Sequence, residues 1–180
     1  MSLSWSHAVI YVRDLEKMLE FYAEVLGFEV ADRGPIGPPG SPDIVFISQV
    51  ETEHHQLAFL PIRQGDEKPN SIDHMAFRTD SLTDLRAMGN TLEKDGRATD
   101  ITPLCHGSSW SYYFKDPEGN GVEVFCDSPW HVAQPQGKRW DPSLSDDELR
   151  AWTEKEFGGE KEFGPIDAYY ASRVAHFAKD

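Results

Sequence analysis

Three polar residues of this chain stand in apolar, strand-like segments, where an unpaired polar side chain is costly. His7 and His74 each lie in the opening segment of one half of the chain, and Glu123 lies in the closing segment of the second half. Two imidazoles and one carboxylate form the ligand set of many Fe(II) sites that leave coordination positions open for substrates. Their combination therefore indicates a metal site, if the fold brings the three segments together.

Each of these residues also has a structural interpretation. A single histidine in a strand is more often a core residue with hydrogen-bond partners than a ligand, and Arg78 could supply the cation that a buried Glu123 requires. His7 and His74, however, occupy equivalent places 67 residues apart. This repetition, together with the carboxylate, favours the metal site.

The elements that must position these residues recur in two halves of the chain. Residues 5–60 and 72–125 each read as strand, helix, strand, strand, strand. Asp14 and Ser81 are the predicted N-caps of the two helices. Residues 34–42, which are rich in glycine and proline, are predicted to form a loop.

These patterns predict an α+β fold with a defined domain organisation. Two βαβββ modules, residues 5–61 and 71–126, are expected to form one open, barrel-like metal-binding domain over residues 1–127. Residues 128–180 are expected to form a linker and a C-terminal helical extension that packs on the core or on a partner chain.

Composition and charge exclude several classes of partner. The 17 basic and 31 acidic residues give a formal net charge of −14, which repels nucleic acid phosphates and anionic membrane surfaces. Cys105 and Cys126 are the two cysteines, too few for a disulfide framework. With no apolar run of membrane-spanning length and no signal-peptide pattern, we expect a cytoplasmic protein.

Several motifs resemble those of a known superfamily. They are His7-x-x-Ile10-x-Val12-x-Asp14-Leu15, Phe21-Tyr22, Leu26-Gly27-Phe28, His74-x-Ala76-Phe77 and Asp116-Pro117-x-Gly119-x-x-x-Glu123. They look like the vicinal oxygen chelate (glyoxalase/bleomycin resistance/extradiol dioxygenase) superfamily. Residues 54–59 (His-His-Gln-Leu-Ala-Phe) and 127–130 (Asp-Ser-Pro-Trp) are most similar to the catalytic domain of type I extradiol ring-cleaving dioxygenases.

The resemblance implies an activity, a cofactor and partners. It implies an extradiol dioxygenase of aromatic hydrocarbon catabolism that cleaves a catecholic ring with O2, and it suggests a homodimer. His7, His74 and Glu123 would bind Fe(II), with Mn(II) as the alternative metal. The substrates would be a small aromatic diol and O2, with no nucleic acid or membrane partner.

The resemblance also assigns catalytic roles to three residues. His55 would be the acid–base residue, and Tyr113 would hydrogen-bond a substrate oxygen. His106 matches a second active-site histidine, although its spacing to Tyr113 is shorter than in the family pattern. The chain also has one module pair, whereas many relatives have two.

Two other functions remain open at this stage. A glyoxalase-like metal-dependent lyase or isomerase would need a fourth protein ligand from the first module, where Gln56 is the amide candidate. A non-enzymatic, antibiotic-binding member of the same superfamily would need no metal.

Overall fold

The computed structural model describes residues 6–51, 54–65 and 73–177. The predicted strand residues Trp5 and Ile72 lie outside these ranges. The chain divides into two compact units. The first comprises residues 1–73 and 116–120, and the second comprises residues 74–115 and 121–180.

The first unit contains one helix packed on a four-stranded sheet. Its elements are β1 (Ala8–Tyr11), α1 (Leu15–Glu24), β2 (Glu29–Pro35), β3 (Asp43–Ser48) and β4 (Leu57–Leu60). The strand order is β1-β4-β3-β2, with β1 parallel to β4 and the other pairs antiparallel. As predicted, Asp14 caps α1, because its side chain accepts a hydrogen bond from the Lys17 amide. Met18, Phe21 and Tyr22 of α1 are fully buried.

The loop predicted over residues 34–42 begins later than expected. Gly34 and Pro35 belong to β2 and pair with Ile44 and Asp43 of β3. Proline has no N–H to donate, which excludes it from central strands but not from the outer side of an edge strand. Because β2 is the edge of the sheet, its composition does not prevent the strand from continuing.

A tight turn over residues 116–120 is built into the first unit. The buried Asp116 carboxylate accepts hydrogen bonds from the amides of Glu118 and Asn120, both at 2.9 Å, and from the Tyr22 hydroxyl at 3.2 Å. Burial raises the pKa of Asp116. Glu118 accepts hydrogen bonds from the backbone amides of Arg13 and Asp14, at 2.6 and 2.7 Å. These contacts fix the turn that leads into the strand carrying Glu123.

The second unit repeats the order of the first. Its module consists of β5 (Met75–Arg78), α2 (Leu82–Asp95), β6 (Thr99–Cys105), β7 (Ser109–Lys115) and β8 (Gly121–Asp127). It continues with β9 (Trp130–His131), β10 (Lys138–Arg139), α3 (Asp146–Phe157), β11 (Gly164–Pro165) and α4 (Ile166–Phe177). The main sheet has the order β10-β6-β7-β8-β5. The predicted α+β class and the βαβββ order of both modules are therefore confirmed.

Residues that follow the second module pack on its sheet. The Trp110 indole of β7 donates to the Thr153 hydroxyl of α3 at 2.8 Å, and the Trp140 indole donates to the Ser111 carbonyl at 3.2 Å. Ser145 and Glu148 form a capping box at the start of α3. In the described part of the chain, no helix combines the length and the apolar character that crossing a membrane demands.

The connection from β6 to β7 requires glycine at position 107. Gly107 has a φ of +79°, and a Cβ added there would lie 2.4 Å from Cγ1 of Val132. Gly96, which ends α2 with a φ of +75°, has no heavy atom within 4 Å of the same added atom. The two glycines thus share a backbone requirement and differ in the space around them.

This difference predicts unequal losses of stability. Gly107→Ala should lower the free energy of unfolding by about 3 kcal/mol, because left-handed backbone strain and overpacking each contribute about 1–2 kcal/mol. Gly96→Ala should cost about 1 kcal/mol from the backbone alone. Urea unfolding of both variants measures the difference, and equal losses would contradict the steric argument.

Candidate functional site

One face of the second unit's sheet collects the polar residues predicted from the sequence. Glu123 of β8 pairs with Tyr113 of β7 on one side and with Ala76 of β5 on the other. Paired residues of neighbouring strands point to the same face, as do residues two positions apart. Ser111 and His74 therefore share the face of Glu123.

The Glu123 carboxylate is the centre of this face. Only 7% of Glu123 is exposed. Its Oε1 accepts a hydrogen bond from the Ser111 hydroxyl at 2.6 Å, and its Oε2 lies 3.3 Å from Nε2 of His74. Two ligand atoms about 2.1 Å from one metal ion, at a right angle, are separated by about 3 Å. The His74–Glu123 distance is that of an ion pair, and it is also compatible with two adjacent positions on one metal ion.

Arg78 does not fill the role of cation for Glu123 in this arrangement. Its guanidinium donates to Asp127 at 2.9 Å and lies over the Phe125 ring, 5.0 Å from the centroid. This disfavours the interpretation in which Arg78 neutralises Glu123.

His106 and Tyr113 complete the group in the second unit. Nε2 of His106 lies 3.1 Å from the Tyr113 hydroxyl oxygen and 3.9 Å from Oε1 of Glu123. The Tyr113 ring also meets the His74 ring edge to face, with centroids 5.1 Å apart. Despite its short spacing in sequence, His106 thus joins the other three predicted residues.

The first unit brings together the other predicted histidines. The rings of His7 and His55 have centroids 4.3 Å apart, and Phe46 meets the His55 ring edge to face at 4.8 Å. Desolvation lowers the pKa of His55, and the neighbouring His7 and His54 lower it further. These effects favour the neutral imidazole, which is the form able to accept a proton.

Both candidate histidine ligands lie beside strands, which corrects their predicted position within them. His7 precedes β1 by one residue and His74 precedes β5 by one residue, because the backbone ladders begin at Ala8 and Met75. The equivalence of the two histidines survives this correction. Among the described residues, no group of three or more His, Cys, Asp or Glu side chains is placed to hold a metal ion.

Sequence reasoning missed Ser111, the hydrogen-bond donor to Glu123. Strand alternation could have found it, because it lies two residues before Tyr113 on the same face. Tyr112 between them points to the other face, where it is buried against Gly89 of α2 and Trp140.

Comparison with known families identifies the chain's relationship. The family described as the Glyoxalase/Bleomycin resistance protein/Dioxygenase superfamily matches residues 4–124. A biphenyl-2,3-diol 1,2-dioxygenase from Rhodococcus globerulus is 28% identical over 166 residues, with 83% of each chain covered. An iron-dependent extradiol dioxygenase from Rhodococcus jostii is 29% identical over 67% of this chain. This chain spans 42% of the length of that second relative.

A solved structure has the same fold with a different named activity. It is a fosfomycin resistance protein from Listeria monocytogenes, complexed with Mn(II) and sulfate. Its TM-score is 0.55 at 16% identity, over 71% of this chain and 95% of that one. At this identity the likeness establishes the fold alone.

Both cysteines of the chain are buried free thiols. Cys105 and Cys126 are 0% and 1% exposed, and burial raises their thiol pKa values to about 11 and about 12. The thiolate is the form that reacts with disulfides and binds metals. A raised pKa therefore keeps both side chains protonated and inert near neutral pH.

We predict that neither thiol reacts with an aromatic disulfide reagent in the native protein at mildly alkaline pH. In urea, both should react at the rate of an ordinary cysteine, because unfolding removes the desolvation. Absorbance of the released thiolate measures both rates. A fast native phase of one equivalent would show that one cysteine is accessible and contradict its burial.

Proposed function

Because the chain belongs to the Glyoxalase/Bleomycin resistance protein/Dioxygenase superfamily, we propose that it is an Fe(II)-dependent extradiol dioxygenase that opens a catecholic ring with O2. The observation that carries the proposal is the buried Glu123 carboxylate with the His74 imidazole 3.3 Å away. The named activities of the two Rhodococcus relatives support the same substrate class.

The proposed metal ligands are His7, His74 and Glu123. Two imidazoles and a carboxylate suit Fe(II), and three protein ligands leave positions for other molecules. When bound, the iron would bring the diol and O2 together and lower the barrier to their reaction. Ser111 would orient the ligand carboxylate through its 2.6 Å hydrogen bond, as second-layer partners do in other metal sites.

His55 is the proposed acid–base residue. Its pKa is lowered, so its neutral ring accepts a proton from a diol hydroxyl and returns it later in turnover. Contacts with the rings of His7 and Phe46 hold the imidazole in place. Its assignment is supported by the His54-His55 pair that resembles the family element.

Tyr113 is proposed to hydrogen-bond a substrate oxygen. Its hydroxyl lies on the same sheet face as Glu123 and 3.1 Å from Nε2 of His106. His106 thereby holds the hydroxyl at the edge of the proposed site.

One contact weighs against a glyoxalase-like lyase or isomerase. That function would recruit Gln56 as a fourth ligand. The Gln56 side-chain oxygen, however, accepts a hydrogen bond from the backbone N–H of Gln49 at 2.9 Å. The remaining alternative, a metal-free antibiotic-binding protein, would leave Glu123 buried without a metal cation.

The first test of this function is metal loading followed by oxygen uptake. Protein loaded anaerobically with Fe(II) should consume O2 with mono- or bicyclic catechols and form a yellow ring-opened product. Glu123→Gln keeps the shape of the side chain but removes its charge, so both bound iron and oxygen uptake should be lost. Oxygen-electrode traces and iron content measure these outcomes.

Three results of this experiment would count against the proposal. Absence of uptake across all catechols would defeat the dioxygenase. Zinc or nickel at full occupancy would favour the lyase or isomerase. Activity with Mn(II) and none with Fe(II) would show that the proposed metal is wrong and that Mn(II) takes its place.

The second test separates His55 from its neighbour. His55→Ala should lower kcat by about 10²–10⁴-fold while leaving iron content unchanged, because proton transfer contributes factors of this size. His54→Ala removes an exposed imidazole whose Nδ1 lies 2.9 Å from Nδ1 of His55; because the His55 ring itself remains, kcat should fall less than about tenfold. Steady-state kinetics compares the pair, and equal losses would remove His55 from the proposed mechanism.

A further inference from the structure

The His106 imidazole bridges two hydrogen-bond partners that set its tautomer. Its Nδ1 lies 2.5 Å from the Gln136 carbonyl oxygen, and its Nε2 lies 3.1 Å from the Tyr113 hydroxyl oxygen. A carbonyl oxygen only accepts hydrogen bonds, so Nδ1 must carry the proton. In the neutral ring, Nε2 then carries the lone pair and accepts the proton of the Tyr113 hydroxyl.

The Gln134 side chain holds the Gln136 carbonyl in this position. Its amide nitrogen donates to the His106 carbonyl at 2.8 Å, and its oxygen accepts from the Gln136 amide at 2.9 Å. One side-chain amide therefore connects the backbone of His106 to the backbone of the residue that contacts its ring. The Gln134 side chain thus influences the position of the His106 ring through these two backbone contacts.

The segment that carries these groups is anchored on either side. Val132 before it is fully buried. After it, Lys138 and Arg139 of β10 pair with Cys105 and Leu104 of β6. Lys138 also donates to the Glu156 carbonyl of α3 at 2.6 Å. Between these two anchors, the contact that holds the backbone of residue 136 is the Gln134 side chain.

We infer that Gln134 is a positioning residue: through the Gln136 carbonyl it fixes His106 as the Nδ1–H tautomer and so directs the Tyr113 proton towards His106. The Tyr113 oxygen then presents a lone pair to a substrate hydroxyl and acts as a hydrogen-bond acceptor. The effect on turnover rests on the proposed function, whereas the tautomer is a property of the chain itself.

The decisive experiment is nitrogen-15 NMR of the metal-free protein at mildly alkaline pH, with labelled histidine. The His106 signals are assigned by their loss in His106→Gln. In the wild type, the coupling pattern should show hydrogen on Nδ1 and a lone pair on Nε2. A wild-type Nε2–H tautomer would overturn the inference, whether or not the protein turns over catechols.

Two variants test the role of Gln134. Gln134→Ala should introduce the Nε2–H tautomer, because the Gln136 carbonyl loses its support. Gln136→Ala removes a side chain that donates to the Ala133 carbonyl at 3.2 Å and to Glu160 at 3.5 Å, but it keeps the Gln136 carbonyl and both Gln134 contacts, so the Nδ1–H tautomer should persist. A wild-type spectrum for Gln134→Ala, with thermal unfolding showing an intact fold, would overturn the positioning role.

Kinetics connects the tautomer to the proposed reaction. In iron-loaded protein, Gln134→Ala should lower kcat/KM for a catechol about tenfold, as loss of a supporting hydrogen bond does at other sites. Gln136→Ala should remain at the wild-type value, and iron content should be equal in all three proteins. A shifted tautomer with unchanged kcat/KM would remove the link to turnover. Absence of oxygen uptake in the wild type would defeat the proposed function and leave the NMR result standing.

Discussion

A buried carboxylate is the constraint on which this site depends. Removing a charge from water costs several kcal/mol unless hydrogen bonds and an opposite charge replace the lost hydration. Glu123 has a hydroxyl from Ser111 and an imidazole from His74 close to it, while the guanidinium of Arg78 is paired with Asp127. The sheet thus supplies a hydrogen bond and a neighbouring imidazole, and in the proposed site a metal cation would supply the remaining charge.

Much of this arrangement follows from local sequence patterns. The two-residue period of a strand places Tyr113 and Ser111 on one face, and the repeated βαβββ order places His74 beside the strand that carries Glu123. Capping at Asp14 and Ser81 also depends on near neighbours, and both helices begin where predicted. Such features can be predicted from the sequence because each depends on residues a few positions apart.

Other features depend on partners distant in sequence and could not be read in this way. Strand β2 continues through Pro35 because it is an edge strand, a fact of topology. One partner of the His106 ring is a backbone carbonyl 30 residues away. Because every residue has a backbone carbonyl, the residue types do not show which one contacts the ring. Arg78 was a plausible partner for Glu123 until strand register placed it beside Phe125 and Asp127.

The position of the His106 contact bears on how a shared fold can host different reactions. The family model matches residues 4–124, so Gln134 and Gln136 lie outside the matched region. On the inference above, a hydrogen bond from this segment sets which atom of the His106–Tyr113 pair donates and which accepts, and it leaves the proposed metal ligands unchanged. The direction of the hydrogen bond between Tyr113 and His106 would therefore be set independently of the proposed metal ligands. On this argument, the segments that follow the repeats deserve as much weight as the ligands when members of one fold are assigned to different chemistries.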